Sequence, residues 1–132
     1  MNKIRMIALA ACMAATLDAS AQEQEIRLFS HRGGRMEHDE NTLSAFQASY
    51  DAGYRGFETD IRMTRDGALV ITHDSSLERT TDGTGTVEEK TEAEIRRLRT
   101  KQGNKVLFLD ELLEFLEGKE GLYVEFEMKT HP

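Results

Sequence analysis

The chain has no tryptophan, one proline and one cysteine in 132 residues. The lone cysteine, Cys12, excludes a disulfide framework within the chain and a zinc site built on several cysteines. The hydrophobic fraction of 39% is too high for a disordered protein, and the length suits one domain rather than two. The sequence therefore predicts a small globular domain that folds without covalent cross-links.

Acidic residues outnumber basic ones, 24 to 17, which gives a net charge of −7. Such a chain is a poor general ligand for a nucleic-acid backbone, so we expect no nucleic-acid partner. It can still bind a small anionic substrate where a few cationic side chains or a metal ion converge. The function is therefore expected to depend on a local site.

Residues 1–21 have the composition of a secretory signal peptide. Lys3 and Arg5 give a positive start, Met6 to Leu17 is apolar, and Ala19-Ser20-Ala21 matches a small-x-small cleavage site. The apolar stretch is about twelve residues long, short of the roughly 20 that span a bilayer, so no transmembrane span is expected. We predict export to the periplasm or the extracellular space.

A second interpretation of the same segment stays open. Leu9-Ala10-Ala11-Cys12 resembles a bacterial lipobox, and a lipid-modified Cys12 would anchor the protein to a membrane. We rank it second because Cys12 comes early and the apolar run continues past it. Removal of the signal peptide leaves residues 22–132 as the predicted mature domain.

The mature part alternates between strand-like and helix-like segments. We predict strands at 26–29, 56–64, 68–72 and 122–128, and helices that begin at Asn41 or Thr42, at Thr91 and at Asp110. Residues 33–40 and 74–90 are polar and contain glycine, so they are predicted to be loops. This order predicts an α/β domain with a mainly parallel sheet. The last helix is expected to bury four apolar side chains, Leu112, Leu113, Phe115 and Leu116.

Two carboxylates and a histidine are predicted to meet at one hairpin. Glu58 and Asp60 lie two apart on a strand, so they project from the same face. Asp66-Gly67 is a strong turn signal, and a two-residue turn pairs Asp60 with His73, with Cβ atoms roughly 5 Å apart. A longer turn shifts this pairing by about one residue. We interpret the group as a candidate site for a divalent metal and for proton transfer.

Functional groups of parallel α/β sheets and barrels gather at the carboxyl ends of strands. Carboxylates supply the oxygen ligands that Mg²⁺ or Ca²⁺ prefers, and arginine binds phosphate through two hydrogen bonds. Two histidines, one as base and one as acid, suit a phosphoryl displacement. Three predicted strands end in or contain such groups: His31-Arg32, Glu58 with Asp60, and Glu127 with Lys129.

Six short motifs follow one another in a fixed order. They are Ser30-His31-Arg32-Gly33-Gly34, Glu40-Asn41-Thr42, Phe57-Glu58-Thr59-Asp60-Ile61, Thr64-Arg65-Asp66-Gly67, His73-Asp74 and Leu77-Glu78-Arg79-Thr80-Thr81. Together with the later Glu127-Met128-Lys129, they resemble the glycerophosphodiester phosphodiesterase family in order and spacing over residues 30–129. Each motif alone is weak, whereas the set in register is specific.

The resemblance implies a (β/α)8 TIM-type barrel and hydrolysis of glycerophosphodiesters to glycerol 3-phosphate and an alcohol, with one divalent cation, Mg²⁺ or Ca²⁺. Glu125 shares a face with Glu127, so the choice between them as a ligand depends on the resemblance. The residues carried over are the metal ligands Glu58, Asp60 and Glu127, the acid and base His31 and His73, and the substrate-binding group Arg32, Lys129 and Glu40, of which Glu40 organises the first loop.

The sequence departs from the family pattern in two motifs and in length. Asp39 stands where the family usually has proline, and Leu107-Phe108 where it usually has Pro-Thr, both outside the reacting set. A complete barrel of this type needs about 250 residues. We therefore expect an α/β chain truncated to about the N-terminal half of the barrel.

Two other functions remain open at this stage. A phospholipase D-like enzyme of the same superfamily would use the same histidines and metal on intact phospholipids. An inactive truncated fragment, or a module that binds lipids or phosphodiesters without turnover, would retain some of these residues without catalysis.

Overall fold

A four-stranded sheet organises residues 26–129, the part of the protein that a computed structural model describes. The predicted signal peptide, the alternative lipobox at Cys12 and the start of the mature domain lie outside these residues. Within them, no helix is long and apolar enough to cross a membrane. The elements are β1 (Phe29–His31), α1 (Leu43–Asp51), β2 (Gly56–Met63), β3 (Leu69–Ile71), a 3-10 turn (Val87–Glu89), α2 (Glu92–Ile95), α3 (Leu109–Leu116) and β4 (Tyr123–Met128).

Strand β2 is the centre on which the other strands assemble. Its first half pairs in parallel with β1, and its second half pairs antiparallel with β3. Its other edge pairs in parallel with β4 over six residues, from Gly56 with Tyr123 to Ile61 with Met128. The predicted α/β architecture with a mainly parallel sheet is therefore confirmed, and the antiparallel β3 is an added hairpin.

Apolar side chains pack on both sides of this sheet in two clusters. In the first, the rings of Phe46 from α1 and Phe57 from β2 meet edge to face with centroids 5.6 Å apart. In the second, Val70 of β3 packs against Leu77 and Val87, which lie in the segment predicted to be a polar loop. That segment is therefore anchored to the core through two buried side chains, although its sequence is mostly polar.

Two predicted element boundaries are wrong. The first strand lies at 29–31 rather than 26–29, because the parallel ladder pairs Phe29, Ser30 and His31 with β2, while Ile26 is 85% exposed. The last helix is capped at Phe108 rather than at Asp110. The Phe108 N–H donates to the Glu111 carboxylate at 3.1 Å, which places Asp110 inside the first turn.

The choice of cap for the first helix is settled in favour of Thr42. Its hydroxyl accepts the N–H of Ala45 at 3.3 Å, which is the usual task of an N-cap side chain. The predicted capping box of Thr91 and Glu94 is confirmed, with both reciprocal hydrogen bonds present. Local hydrogen-bonding chemistry thus predicted these helix starts correctly.

The predicted hairpin register is wrong by one residue. The Thr64 N–H donates to the Ala68 carbonyl at 2.8 Å, so three residues rather than two form the turn, and its last residue, Gly67, has φ +91°. The residue opposite Asp60 is therefore Thr72, whose N–H donates to the Asp60 carbonyl at 3.0 Å. His73 comes one position later, beyond the end of β3.

Helix α3 offers a matched pair of leucines that tests the packing. Leu112 is 1% exposed in the core, whereas its neighbour Leu113, which the sequence predicted to be buried, is 51% exposed. We expect Leu112→Ala to lower the free energy of unfolding by about 2–5 kcal/mol, since it removes buried methyl groups and leaves a cavity. Leu113→Ala is expected to change it by less than about 1 kcal/mol.

Urea unfolding of both variants, followed by circular dichroism, measures this difference. Equal losses in the two variants would contradict the packing of α3 on the sheet.

Candidate active site

Three neighbouring strands bring acidic and basic side chains to one place. His31 is the last residue of β1 and pairs with Glu58 of β2, so their side chains share a face, with His31 Nε2 3.6 Å from Glu58 Oε2. Asp60 pairs in the same way with Glu127 of β4. One carboxylate oxygen each from Glu58, Asp60 and Glu127 lies within 4.8 Å of the others. Glu125 lies on the same strand as Glu127 but outside this cluster.

The cluster has the oxygen atoms that a hard divalent cation requires. Glu58 Oε2 and Asp60 Oδ1 are buried, and neither has a hydrogen-bond partner within residues 26–129. A buried carboxylate oxygen without a donor is costly unless a cation compensates its charge. Glu58 and Asp60 each offer a buried oxygen without a hydrogen bond, and Glu127 completes a group of three carboxylates whose spacing fits Mg²⁺ or Ca²⁺, which both bind through oxygen.

The pKa values of Glu58 and Glu127 shift in opposite directions. Burial raises the pKa of Glu58, and the negative charge of Asp60 adds to this effect. The pKa of the exposed Glu127 is lowered, mainly by a hydrogen bond from Lys129, with His73 and Arg32 among the further cationic influences. The Lys129 ammonium lies 2.6 Å from Glu127 Oε1 and 3.4 Å from Asp60 Oδ1. Lys129 therefore partly neutralises the open side of the cluster.

The second oxygen of Asp60 is held by the loop that follows β1. Asn41 Nδ2 donates to Asp60 Oδ2 at 3.1 Å, and Arg32 Nε lies 3.1 Å from the same oxygen. The Thr59 hydroxyl donates to Asn41 Oδ1 at 3.0 Å, which fixes the orientation of the amide. Asn41, which the sequence suggested only as an alternative helix cap, is therefore a structural part of the site.

Backbone strain accompanies this arrangement. Arg32 and Asn41 have φ values of +54° and +57°, which non-glycine residues rarely adopt. The Arg32 N–H donates to the Glu58 carbonyl and the Asn41 N–H to the Arg32 carbonyl, both at 2.9 Å. These bonds hold both residues against β2. Such strain is often found where the fold positions functional groups.

Gly33 lets the same loop approach helix α1 closely. Its φ is +76°, and a Cβ atom there would lie 2.8 Å from the Cβ of Ala45. A side chain at this position would push the loop away from the helix. The glycine after Arg32 is therefore required by packing as well as by backbone conformation.

The two predicted histidines lie at different edges of the cluster. The side chain of His31 is 52% exposed, with its Nε2 atom towards Glu58. His73 Nδ1 lies 2.7 Å from Asp74 Oδ1, and its backbone carbonyl accepts the Nε–H of Arg62 at 2.8 Å. Asp74 is ionised at neutral pH, because hydrogen bonds from Arg79 and then from His73 lower its pKa to about 2. An ionised carboxylate only accepts, so His73 Nδ1 carries the hydrogen.

Glu40 lies between two arginines at the edge of the site. Its Oε1 atom accepts from Arg32 Nη1 at 3.3 Å, and both of its oxygens accept from Arg79. The hydrogen bond from Arg79 is the largest cause of the lowered pKa of Glu40. These contacts connect Glu40 to Arg32 in the first loop and to Arg79 in a later one.

Comparison with known proteins identifies the family. The model of the glycerophosphoryl diester phosphodiesterase family matches residues 31–131. The chain belongs to this family. A glycerophosphodiester phosphodiesterase of Caldanaerobacter subterraneus subsp. tengcongensis is 34% identical over 110 residues, which cover 78% of this chain and 45% of that protein. Human glycerophosphodiester phosphodiesterase 1 is 35% identical over 114 residues, or 80% of this chain and 34% of that one.

Solved structures of the family share the fold. A glycerophosphodiester phosphodiesterase from Agrobacterium tumefaciens superimposes with a TM-score of 0.70 at 36% identity and covers 77% of this chain. An Oleispira antarctica phosphodiesterase, solved with its product sn-glycerol-3-phosphate, gives 0.73 at 30% identity over 79% of this chain. These neighbours are TIM-barrel enzymes, so the sheet described here is part of that fold. The chain spans 47% and 44% of their respective lengths, less than half of each.

Of the eight residues that the family resemblance singled out, seven are joined by contacts around the carboxylate cluster, and the eighth, His73, is close enough to contribute to the lowered pKa of Glu127. Three further residues, Asn41, Asp74 and Arg79, hold them there and were given no site role from sequence. The signal was present, since all three lie inside the family motifs of this chain. Their contacts with Asp60, His73 and Glu40 depend on loop geometry, which the sequence pattern does not encode.

The lowered pKa of Asp74 predicts a pH-dependent contribution to stability. Since its pKa in the folded protein lies below the ordinary aspartate value of 3.8, the contribution is present above about pH 4 and is lost as pH falls towards 2. We expect Asp74→Asn to destabilise the protein by about 1 kcal/mol at pH 6, a modest value because the carboxylate is partly exposed. The difference from the wild type should shrink between pH 4 and pH 2.

Urea unfolding at a series of pH values measures this trend. Asp51→Asn, at an exposed helix position where Asp51 accepts a hydrogen bond from Gln47, is the matched control. The same pH-dependent loss in both variants, or a constant loss in Asp74→Asn, would contradict the assignment.

Proposed function

We propose that this chain carries the reacting centre of a metal-dependent phosphodiesterase that hydrolyses glycerophosphodiesters to glycerol 3-phosphate and an alcohol. The observation that carries the proposal is the cluster of Glu58, Asp60 and Glu127, with two buried oxygens free of hydrogen bonds. Its setting supports the same chemistry, because two histidines and two cationic side chains border it. Few reactions other than phosphoryl transfer need all of these groups together.

The three carboxylates would hold one divalent cation, Mg²⁺ or Ca²⁺. When bound, such an ion offsets negative charge on phosphoryl oxygens and orients the diester. Glu58 and Asp60 are fixed within β2, while the exposed Glu127 closes the cluster from β4. Burial raises the pKa of Glu58 and so disfavours its charged form, whereas a bound cation favours that form, so metal binding and ionisation of this carboxyl are coupled.

Arg32 and Lys129 are proposed to bind the phosphate. Arg32 is buried, and its Nε atom has no hydrogen-bond partner among the described residues, although it lies 3.1 Å from an Asp60 oxygen. A guanidinium beside a cation site suits a phosphate oxygen, because arginine binds phosphate through two directed hydrogen bonds. Lys129 approaches the same centre from the end of β4. These two charges offset part of the negative charge of a bound diester.

His31 and His73 are proposed as the acid and the base. During hydrolysis an oxygen from water forms a new bond to phosphorus, and the bond between phosphorus and the alcohol oxygen breaks. One imidazole accepts the proton of the attacking water, and the other donates a proton to the departing alcohol. The hydrogen on Nδ1 of His73 leaves its Nε2 lone pair available when the ring is neutral.

The relatives support this substrate class. Two of the similar proteins are named glycerophosphodiester phosphodiesterases, and a solved neighbour at 30% identity holds sn-glycerol-3-phosphate as product. We further propose that the protein is exported to the periplasm or beyond, with cleavage after Ala21 and a mature domain at 22–132. A lipid anchor at Cys12 is the alternative that intact-mass measurement of the exported protein would detect.

Hydrolysis of glycerophosphocholine tests the proposal. We expect release of glycerol 3-phosphate in the presence of Mg²⁺ or Ca²⁺ and its loss on addition of a chelator. His31→Ala should lower kcat by about 10²–10⁴-fold, the usual contribution of a general acid or base. His38→Ala, in the same loop but outside the cluster, is the matched control and should keep wild-type activity.

Two outcomes would overturn the assignment. Full activity of His31→Ala would show that this imidazole is neither the acid nor the base. Activity that survives addition of a chelator would show that hydrolysis does not depend on a metal ion. Faster turnover of intact phospholipids than of glycerophosphocholine in the same assay would favour the phospholipase D-like alternative. Substrate binding without any product release would favour a binding module.

A further inference from the structure

Arg79 connects two carboxylates that come from different loops. Its Nη1 and Nη2 atoms donate to the two oxygens of Glu40 at 3.0 and 2.7 Å, a two-point contact that fixes the plane of both groups. Its Nε atom donates to Asp74 Oδ2. Glu40 belongs to the loop after β1 and Asp74 to the loop after β3. A single guanidinium therefore ties these two loops together.

Each of these carboxylates also contacts a residue of the proposed reaction. The other oxygen of Asp74 accepts from His73 Nδ1 at 2.7 Å. Glu40 Oε1 accepts from Arg32 Nη1 at 3.3 Å. A continuous chain of hydrogen bonds thus runs from His73 through Asp74, Arg79 and Glu40 to Arg32. Its two ends are the imidazole proposed for proton transfer and the guanidinium proposed for phosphate binding.

We propose that Arg79 is a positioning residue that sets the tautomer of His73 through Asp74 and the placement of Arg32 through Glu40. The inference rests on the proposed function for the roles of His73 and Arg32, while the contacts themselves do not depend on it. Arg79 does not itself touch the carboxylate cluster in any contact among the described residues. It acts by holding two acceptors in fixed orientations.

The geometry of the guanidinium, rather than its charge, carries the effect. Arg79 makes three directed hydrogen bonds to two carboxylates, and a planar fork is needed to make them at once. An ammonium group at the end of a lysine side chain keeps the charge but cannot align both carboxylates. Arg79→Lys therefore distinguishes the two effects: lysine would preserve function if the charge alone mattered, and would not if the alignment of both carboxylates mattered.

A structural role alone makes a different prediction. If Arg79 only joined two loops, its loss would lower stability without changing the position of the hydrogen on His73. If Arg79 positions Asp74, its loss lets Asp74 move away from His73 Nδ1. The hydrogen of the neutral imidazole then shifts in part from Nδ1 to Nε2. That form lacks the Nε2 lone pair needed by a general base, so activity falls as well.

Nitrogen-15 spectra of histidine-labelled protein test the tautomer. They are recorded at a pH where the rings are neutral, and the His73 signals are assigned with His73→Gln. We expect the wild type to show hydrogen on Nδ1, and both Arg79→Ala and Arg79→Lys to shift the population towards Nε2. Arg65→Ala is the control, because Arg65 is exposed and its ion pair, with Glu94 at 4.0 Å, lies outside this chain of hydrogen bonds.

Activity gives the second readout. We expect kcat/KM for glycerophosphocholine to fall about 10–100-fold in Arg79→Ala, the size usual for residues that orient a reacting group, with no rescue by lysine. Arg65→Ala should keep wild-type values. If Arg79→Ala does not fold, as judged by its amide spectrum, Arg79→Lys alone decides the question.

An unchanged His73 tautomer in a folded Arg79 variant would overturn the proposal, and so would full activity of Arg79→Lys. Absence of hydrolysis by the wild type would instead count against the proposed function. The spectra would still decide whether Arg79 controls His73, so the two failures are distinguishable.

Discussion

Three carboxylates that crowd together on adjacent strands repel one another, and much of the surrounding structure compensates for that repulsion. Parallel pairing of β2 with β4 leaves Glu58, Asp60 and Glu127 with oxygens within 4.8 Å of one another. At such separations, like charges near a protein surface cost several kcal/mol unless opposite charges are close. Arg32, Lys129 and the amide of Asn41 meet part of that need. The remaining free oxygens are the reason to place a cation there.

This constraint explains features of the fold that packing alone does not. The loop after β1 adopts left-handed backbone at Arg32 and Asn41 so that both side chains reach Asp60. Gly33 has no side chain, which allows that loop to lie against α1. The strained backbone at Arg32 and Asn41 therefore accompanies fixed contacts between these two residues and the Asp60 carboxylate. Among the described residues, Arg79 does not contact the cluster itself. It is connected to the site through Glu40 and Asp74, which lie in the loops after β1 and β3.

The fold class could be predicted from the sequence because alternating strand-like and helix-like segments form local patterns, and the family motifs supplied eight candidate site residues. Alternation of polar and apolar residues predicted β2, the capping box predicted the start of α2, and the family motifs predicted the residues that surround the cluster. The turn at Asp66-Gly67 was misjudged, since a two-residue and a three-residue turn share the same Asp-Gly signal. The true register became visible only from the hydrogen bond between Thr64 and Ala68. Contacts such as those of Asn41 and Arg79 join segments far apart in sequence, so no local pattern predicts them.

Calorimetric titration of Ca²⁺ or Mg²⁺ into the protein tests most directly whether the three carboxylates hold one cation. We expect one ion per chain and affinity weakened about tenfold or more in Glu127→Gln, which removes one charged ligand. Glu125 lies on the same face of β4 but outside the cluster. The Glu125→Gln variant should therefore bind the ion with the affinity of the wild type. Equal weakening in the two variants, or wild-type affinity in Glu127→Gln, would show that Glu58, Asp60 and Glu127 do not hold the ion together.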